Sequence, residues 1–485
     1  MKHLLALVFA AALSTSAAAA GIDPFGTAGK VSRTRTSAML GEAVADPCQF
    51  GPVGSPIGLV EVVERALCHN PKTREAWANA KVQAAGLGVR QSAYLPSVSA
   101  GLGYGKQKTS TSYTAPFDVL DSQNNPTMRS GSLKMSWALF DFGQRSSYVD
   151  QARALLGAAN ANHDATLQVA FVDAAQAYFD TLTALATVNA KRKAEMAAKE
   201  SFQAAAAKYK AGVGGLTDQL QASTAYSQAQ LETVVAEGEL KNALGNLAIA
   251  MGLDVYTPLA LAKPDEALPS TDFVRPIEDL IEEARANHPA LIASRAAVKS
   301  AEANVAAMRA EGRPTISLAS ELTRSDQFGQ QPAVGYPNTD VSSTNKSIAI
   351  QMNAPLFEGF GRTYKVRTAQ GQVEAKQAEY AQIEQQVVME VWKNYQSLTA
   401  ETEGLKVAAE LVDNAHESFN VARGRYKAGV GNIVELLNVQ SALANAEQQR
   451  IKTMSNWHRA RLKLAASIGR IGLWAIAPLT SSNIE

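Results

Sequence analysis

Tyr209-Lys210-Ala211-Gly212-Val213-Gly214 recurs unchanged, 217 residues later, as Tyr426-Lys427-Ala428-Gly429-Val430-Gly431. The same offset aligns Leu139-Phe140-Asp141-Phe142-Gly143-Gln144-Arg145 with Leu356-Phe357-Glu358-Gly359-Phe360-Gly361-Arg362. It also aligns Tyr178 with Tyr395, Phe202 with Phe419 and Gly252 with Gly469. Upstream the offset is 218, with Asn70-Pro71 against His288-Pro289 and Pro96-Ser97-Val98 against Pro314-Thr315-Ile316. One residue of length difference therefore falls between Pro96 and Leu139. Agreement over so long a stretch makes the chain a tandem duplication.

Each copy reads in the same order. A helix comes first, about 57–94 and then 275–312, with apolar residues such as Val62 and Ala66, or Leu280 and Ala284, at helical spacing. Alternation follows. In Pro96 to Lys106, Val98, Ala100, Leu102 and Tyr104 fall on one side and Ser97, Ser99, Gly101 and Gly103 on the other. Leu133, Met135, Trp137 and Leu139 oppose Ser130, Ser132, Lys134 and Ser136 in the next stretch. In copy two, Ile316, Leu318 and Leu322, then Ile348, Ile350 and Met352, alternate with polar residues. The pattern predicts strands at about 96–106, 129–140, 314–323 and 345–355, each long enough to cross a bilayer when tilted. Polar loops at 107–127 and 324–344 separate the strands of each pair. The same alternation also suits half-buried strands of a soluble sheet.

Beyond the strands, no proline occurs from Thr127 to Thr257 or from Leu356 to Ala477, so nothing forces a helix to break. Leu167, Phe171, Ala174, Tyr178, Leu182 and Leu185 step by four and three, as do Val391, Tyr395, Leu398, Thr402, Leu405 and Val412. That is the seam of a coiled coil, and it equally suits a soluble helical bundle. The helix from Gly143 to Tyr209 would measure about 100 Å. The helix before the strands and the one after the glycine turn would match it stacked end to end, which puts both strand pairs at one end and both turns, 210–217 and 427–434, at the other. Four strands cannot close a barrel, since about eight are the practical minimum, and an open sheet edge is untenable in lipid. If the strands cross a membrane, the chain must oligomerise.

Residues 1–20 read as a secretory signal peptide: Met1 to His3 supply positive charge, Leu4 to Leu13 an apolar run, and Ala17 to Ala20 a small-residue end. No cysteine directly follows, so no lipid anchor is expected there. Residues 21–55 form an N-terminal extension, 56–254 the first repeat, 255–273 an inter-repeat segment, 274–471 the second repeat and 472–485 a tail. Cys48 and Cys68 are twenty residues apart in an exported chain, which suggests a disulfide; two free thiols remain the other reading, because spacing does not fix geometry. No window is apolar enough for a transmembrane helix. A net charge of +1 with interleaved signs argues against a nucleic-acid partner. The six histidines form no metal-binding pair, and no nucleophile elbow or phosphate loop is present, so neither catalysis nor a cofactor is expected.

The duplicated order of helix, strands, long helix and glycine turn resembles the TolC-type outer-membrane channels across about residues 55–472. The resemblance implies an α+β membrane protein: a homotrimer whose twelve-stranded transmembrane β-barrel, four strands per subunit, continues into a coiled-coil α-barrel in the periplasm. It implies contact with outer-membrane lipid, a periplasmic adaptor and an inner-membrane ABC or proton-driven transporter. The family has a protein-secretion branch and a multidrug or metal efflux branch; the N-terminal extension with Cys48 and Cys68 and the missing lipid anchor favour type I protein secretion, with multidrug or metal efflux as the alternative and a non-transport periplasmic scaffold as a distant one. The resemblance makes Gly212, Val213, Gly214, Gly429, Val430 and Gly431 the adaptor-contacting tips. Thr217, Asp218 and Tyr426 match positions of the periplasmic lock, where a Tyr hydroxyl is suited to bond a carboxylate, whereas Gly431 replaces an expected Arg. Glu435 and Asn438 stand where the family often has two acids one turn apart, which leaves one carboxylate ring and a looser, less cation-selective entrance. Without the resemblance, Asp218, Tyr426 and Glu435 read as ordinary solvated or packing residues.

Overall fold

The computed structural model describes residues 23–31, 48, 53, 56–261, 275–330, 337 and 339–469. The signal peptide, most of the N-terminal extension, part of the inter-repeat segment and the C-terminal tail lie outside them. Eight α-helices and six strands are formed among the described residues. In chain order they are α1 (Leu59–His69), α2 (Pro71–Ser92), β1 (Ser97–Lys106), β2 (Thr109–Thr111), β3 (Ser122–Asn124), β4 (Thr127–Phe140), α3 (Gln144–Lys210) and α4 (Leu216–Ala250). The second half adds α5 (Ile277–Asn287), α6 (Pro289–Glu311), β5 (Thr315–Gln330), β6 (Thr339–Asn353), α7 (Gly361–Lys427) and α8 (Ile433–Ser467). Helices α3 and α7 each have 67 residues, and α4 and α8 each have 35.

The single helices expected at 57–94 and 275–312 are each two. Pro71 and Pro289 supply no N–H and disfavour α-helical backbone in the residue before them. Accordingly Asn70 and His288 turn to ψ 127° and 123°, closing α1 and α5 before α2 and α6 begin. The loops also differ from expectation. β5 runs on to Gln330 and β6 begins at Thr339, so most of the polar stretch 324–344 is strand, and within 107–127 β2 pairs with β3. Backbone pairing between adjacent strands carries these polar residues, which alternation of apolar residues cannot reveal.

Contacts divide the chain into two units. The first contains a four-stranded antiparallel sheet in the order β1-β4-β5-β6, besides the β2-β3 pair. Its central pair joins one copy to the other, with Leu133 opposite Leu322 and Trp137 opposite Leu318. Among the described residues, β1 and β6 have no partner on their outer sides, and every residue of both is exposed. The turn from strand to long helix uses two successive left-handed residues in each copy, Phe142-Gly143 (φ 53° and 92°) and Gly359-Phe360 (φ 59° and 64°). The bend is shared, but glycine and phenylalanine exchange places. Arg145 closes the first of these turns, bonding Asp141 at 2.6 Å and donating to the carbonyls of Ala138 and Ala93 at 2.6 and 3.2 Å. Arg362 pairs with Glu358 at 3.1 Å in the second. The motif that aligned the copies is thus a strand-to-helix corner with an arginine–carboxylate pair, and in the first copy the guanidinium also satisfies loose carbonyls of the corner.

The second unit is helical. Leu167, Phe171, Ala174 and Tyr178 of the expected seam are buried on α3, and Val391, Leu398 and Leu405 on α7, whereas Leu182, Tyr395, Thr402 and Val412 are half-buried. Phe171 packs with Val63 and Leu67 of α1 and Leu462 of α8. Val391 packs with Leu280, Leu291 and Trp457. Each large apolar side chain so enclosed contributes about 1.5–3 kcal/mol. Cys48 is disulfide-bonded to Cys68 of α1, with Cα atoms 5.4 Å apart.

Candidate functional site: the paired helical tips

Each long helix reverses into its partner through a short glycine turn. In the first, Gly212 takes φ +75°, and the Gly212 and Val213 amides donate to the carbonyls of Tyr209 and Lys208 at 2.9 and 3.0 Å. In the second, Gly429 takes φ +81°, and Gly429 and Val430 donate to Tyr426 and Arg425 at 3.2 and 3.1 Å. This is how a left-handed residue satisfies the last carbonyls of a helix. Gly214 and Gly431 are needed for another reason: a Cβ would sit 3.0 Å from the Lys208 Cβ in one turn and from the Tyr426 backbone nitrogen in the other. The arginine expected at position 431 would therefore press on the backbone of this turn, which must give by a few tenths of an ångström to admit it.

The helices that leave the turns begin differently. Asn432 caps α8, its side chain accepting from the Glu435 amide at 2.7 Å. Gly215 precedes α4 with no side chain to do so. Glu435 is bound across its own hairpin by Arg425 at 3.0 Å, although both ends are well exposed. The equivalent residues 217 positions earlier are Lys208 and Asp218. They do not pair with each other. Lys208 crosses to the other hairpin, donating to the Tyr426 carbonyl at 2.8 Å with its ammonium 3.8 Å from the centre of the Tyr426 ring.

That crossing sits over a small core in which Ala205 and Ala222 of the first hairpin meet Phe419, Tyr426, Ile433 and Leu436 of the second. Tyr426 is only 5% exposed. Burial and then the Asp218 carboxylate push its phenol pKa up. Among the described residues, no hydrogen bond joins the Tyr426 hydroxyl to Asp218, which is half-buried. Thr217 and Asn438 are exposed. Further along, α3 contacts α8 where Ser201 donates to Gln440 at 3.3 Å and Lys191 to Gln448 at 3.1 Å, and Lys191 also bonds Glu232 of α4 at 2.9 Å. Val213 and Val430 cap the turns at 77% and 71% exposure.

The structure thus brings Asp218 close to Tyr426 and sets Glu435 against a cation. Lys208 and Arg425 are not among the residues the sequence pointed to. The signal was present, since bases at 208 and 425 and acids at 218 and 435 share the repeat offset.

The sequence matches the outer membrane efflux protein family over residues 62–253 and 280–470. It is 30% identical over 416 residues to protein CyaE of Bordetella pertussis, covering 86% of this chain and 85% of that protein. It is 24% identical over 419 residues to the alkaline protease secretion protein AprF of Pseudomonas aeruginosa, covering 84% of each. In fold it is similar to a crystal structure of a membrane protein from Pseudomonas aeruginosa, with TM-score 0.73 and 20% identity over 87% of this chain and 99% of that one. With two glycine-turned hairpins, an open four-stranded sheet and a family match over most of its length, the chain belongs to the outer membrane efflux proteins: TolC-type channels, not enzymes, that sit in the outer membrane and extend into the periplasm.

Proposed function

We propose that three copies of this chain form one channel of a tripartite export system, each contributing its sheet to a common twelve-stranded barrel in outer-membrane lipid. The observation that carries this reading is the sheet itself: four strands, both edges unpaired among the described residues, one face rich in Leu, Ile, Val and Trp and the other in Ser and Gly. Closure needs strands from other subunits, because an open edge in hydrocarbon leaves backbone groups unsatisfied at several kcal/mol each. The apolar face then meets lipid and the serine-rich face lines the exit.

The helical tips form the periplasmic entrance and receive the adaptor. Val213 and Val430 offer exposed apolar contact at the turns. The Lys208–Tyr426 crossing holds the two hairpins of one subunit together. Arg425 offsets the charge of Glu435, and Asn438 adds none, so the entrance has little cation preference. An inner-membrane transporter delivers the substrate through the adaptor.

The cargo is a secreted polypeptide in this reading, supported by similarity to a protein named for alkaline protease secretion. Efflux of small molecules is the second reading, favoured by the family's description. A deletion strain scored for a missing extracellular polypeptide and for drug sensitivity separates them. Loss of the polypeptide with unchanged drug sensitivity supports secretion; normal secretion with lost resistance overturns it.

A further inference from the structure

The apolar face of the sheet does not stay apolar along its length. Register assigns Val98, Leu102 and Tyr104 of β1 to one face together with Leu133, Met135 and Trp137 of β4, because Val98 opposes Met135 and Tyr104 opposes Arg129. On the same face β5 carries Ile316, Leu318 and Leu322, then Arg324 and Asp326, and β6 carries Ile348 and Ile350, then Lys346 toward the loop end. Arg129 is confirmed on this face by its guanidinium, which lies 5.9 Å from the Tyr104 ring centre and 5.0 Å from that of Phe328.

Three bases therefore step diagonally across three neighbouring strands, Arg129 on β4, Arg324 on β5 and Lys346 on β6, and Lys106 of β1, opposite Thr127, continues the line one step nearer the loop. All three are exposed. Asp326 is the acid among them, held 3.2 Å from Arg324 and accepting from the Ser342 hydroxyl at 2.6 Å. Asp340, nearer the loop, is turned to the Gly329 amide at 3.1 Å. The cluster of Arg129, Arg324, Lys346 and Asp326 keeps an excess of positive charge. The opposite face has one charged pair in the paired strands, Lys134 with Glu321 at 3.2 Å, and it is neutral.

Height explains why bases belong there. Arg324 lies eight residues beyond Ile316 on β5, about 27 Å along a strand, which a tilt of about 40° reduces to about 21 Å of height. The apolar band of an outer-membrane barrel is about 25 Å tall. Arg324, and Arg129 opposite Asp326 two residues further on, therefore fall at the upper polar boundary, and Lys346 reaches it along its own methylene stem. The helices leave the other end of the strands toward the periplasm, so this boundary belongs to the outer leaflet. Tyr104 and Phe328 beside Arg129 give an acyl chain or sugar ring an apolar surface next to the charge.

We infer that Arg129, Arg324 and Lys346 form a binding site for the phosphate-bearing headgroup of an outer-leaflet lipid. Arginine's fork matches a phosphate bidentately, and lysine adds a point charge. The inference rests on the barrel reading above, since the face must meet lipid.

The test uses the full-length protein extracted from outer membranes, titrated in detergent with bisphosphorylated lipid A, with dephosphorylated lipid A and with inorganic phosphate, and read by native mass spectrometry. Wild type is expected to retain the bisphosphorylated lipid at least about tenfold more tightly than the dephosphorylated one. The triple variant Arg129→Gln/Arg324→Gln/Lys346→Gln should lose that preference, while Lys134→Gln on the opposite face should keep it. Should the triple variant fail to assemble, the single variants Arg324→Gln and Lys346→Gln carry the comparison, each expected to weaken retention about threefold to fivefold. Equal retention of both lipids, or unaltered retention by the triple variant, overturns the inference. So does inorganic phosphate competing as well as the lipid, which would make this a free-phosphate site. Wild type recovered in the soluble periplasm would instead sink the barrel reading, so the two failures are distinct.

Discussion

Replacing Lys208 by methionine keeps the length of the side chain and removes its charge, which isolates the crossing between the two hairpins. The ammonium makes a 2.8 Å hydrogen bond to the Tyr426 carbonyl and lies 3.8 Å from the centre of its ring. A hydrogen bond from a charged donor contributes about 1.5–3 kcal/mol and a cation–π contact about 0.5–2. One ammonium makes both, and Lys208 is half-buried, so solvent screening cuts the sum to about 1–2 kcal/mol. That corresponds to about a 5–30-fold shift toward separated hairpins. Conductance of the reconstituted channel in planar bilayers reads the shift as a larger open fraction, and Lys208→Arg, which keeps the donor, should stay near wild type. A Lys208→Met channel that assembles normally and shows the wild-type open fraction refutes the reasoning.

Tyr426→Phe should change the open fraction less than twofold, about 0.4 kcal/mol, in the same recordings, because among the described residues the hydroxyl makes no hydrogen bond while ring and carbonyl remain. Gly431→Arg should disrupt the second turn by overcrowding the Tyr426 and Arg425 backbone, lowering the amount of assembled channel in outer-membrane fractions. Cys48→Ser/Cys68→Ser should cost about 3 kcal/mol for a loop of this size, seen as a lower thermal midpoint that reductant no longer alters. His458, stacked on Phe179 at 4.3 Å between ring centres, has its pKa lowered from 6.5 to about 4, chiefly by burial with Arg461 adding to it. The fold thus favours the neutral ring, and its contribution is intact above about pH 6.5 and lost progressively as pH falls toward about 4. His458→Phe should flatten the thermal midpoint between those values; an unaltered slope counts against it.

The tips were legible because glycine at positive φ is a backbone requirement that the repeat displays twice. Gly212 and Gly429 hold those conformations. What happens between the tips was not legible. A lysine near the end of an Ala-rich helix reads as solvated, and only the packing of the first hairpin on the second puts Lys208 over Tyr426 rather than against Asp218. The helix breaks could have been read from Asn70-Pro71 and His288-Pro289, which the alignment of the copies already displayed; helical periodicity running past them concealed the interruption. Strand length beyond residue 323 was hidden because Thr, Ser, Asp and Gln carry no apolar alternation, and their pairing depends on the neighbouring strand.

The native mass of the assembly extracted from outer membranes tests the central claim most directly. If the open edges of β1 and β6 are closed by neighbouring subunits, the particle has three chain masses and monomer is absent from the membrane fraction. A folded monomer in the outer membrane, or recovery of the chain in the soluble periplasm, would contradict it.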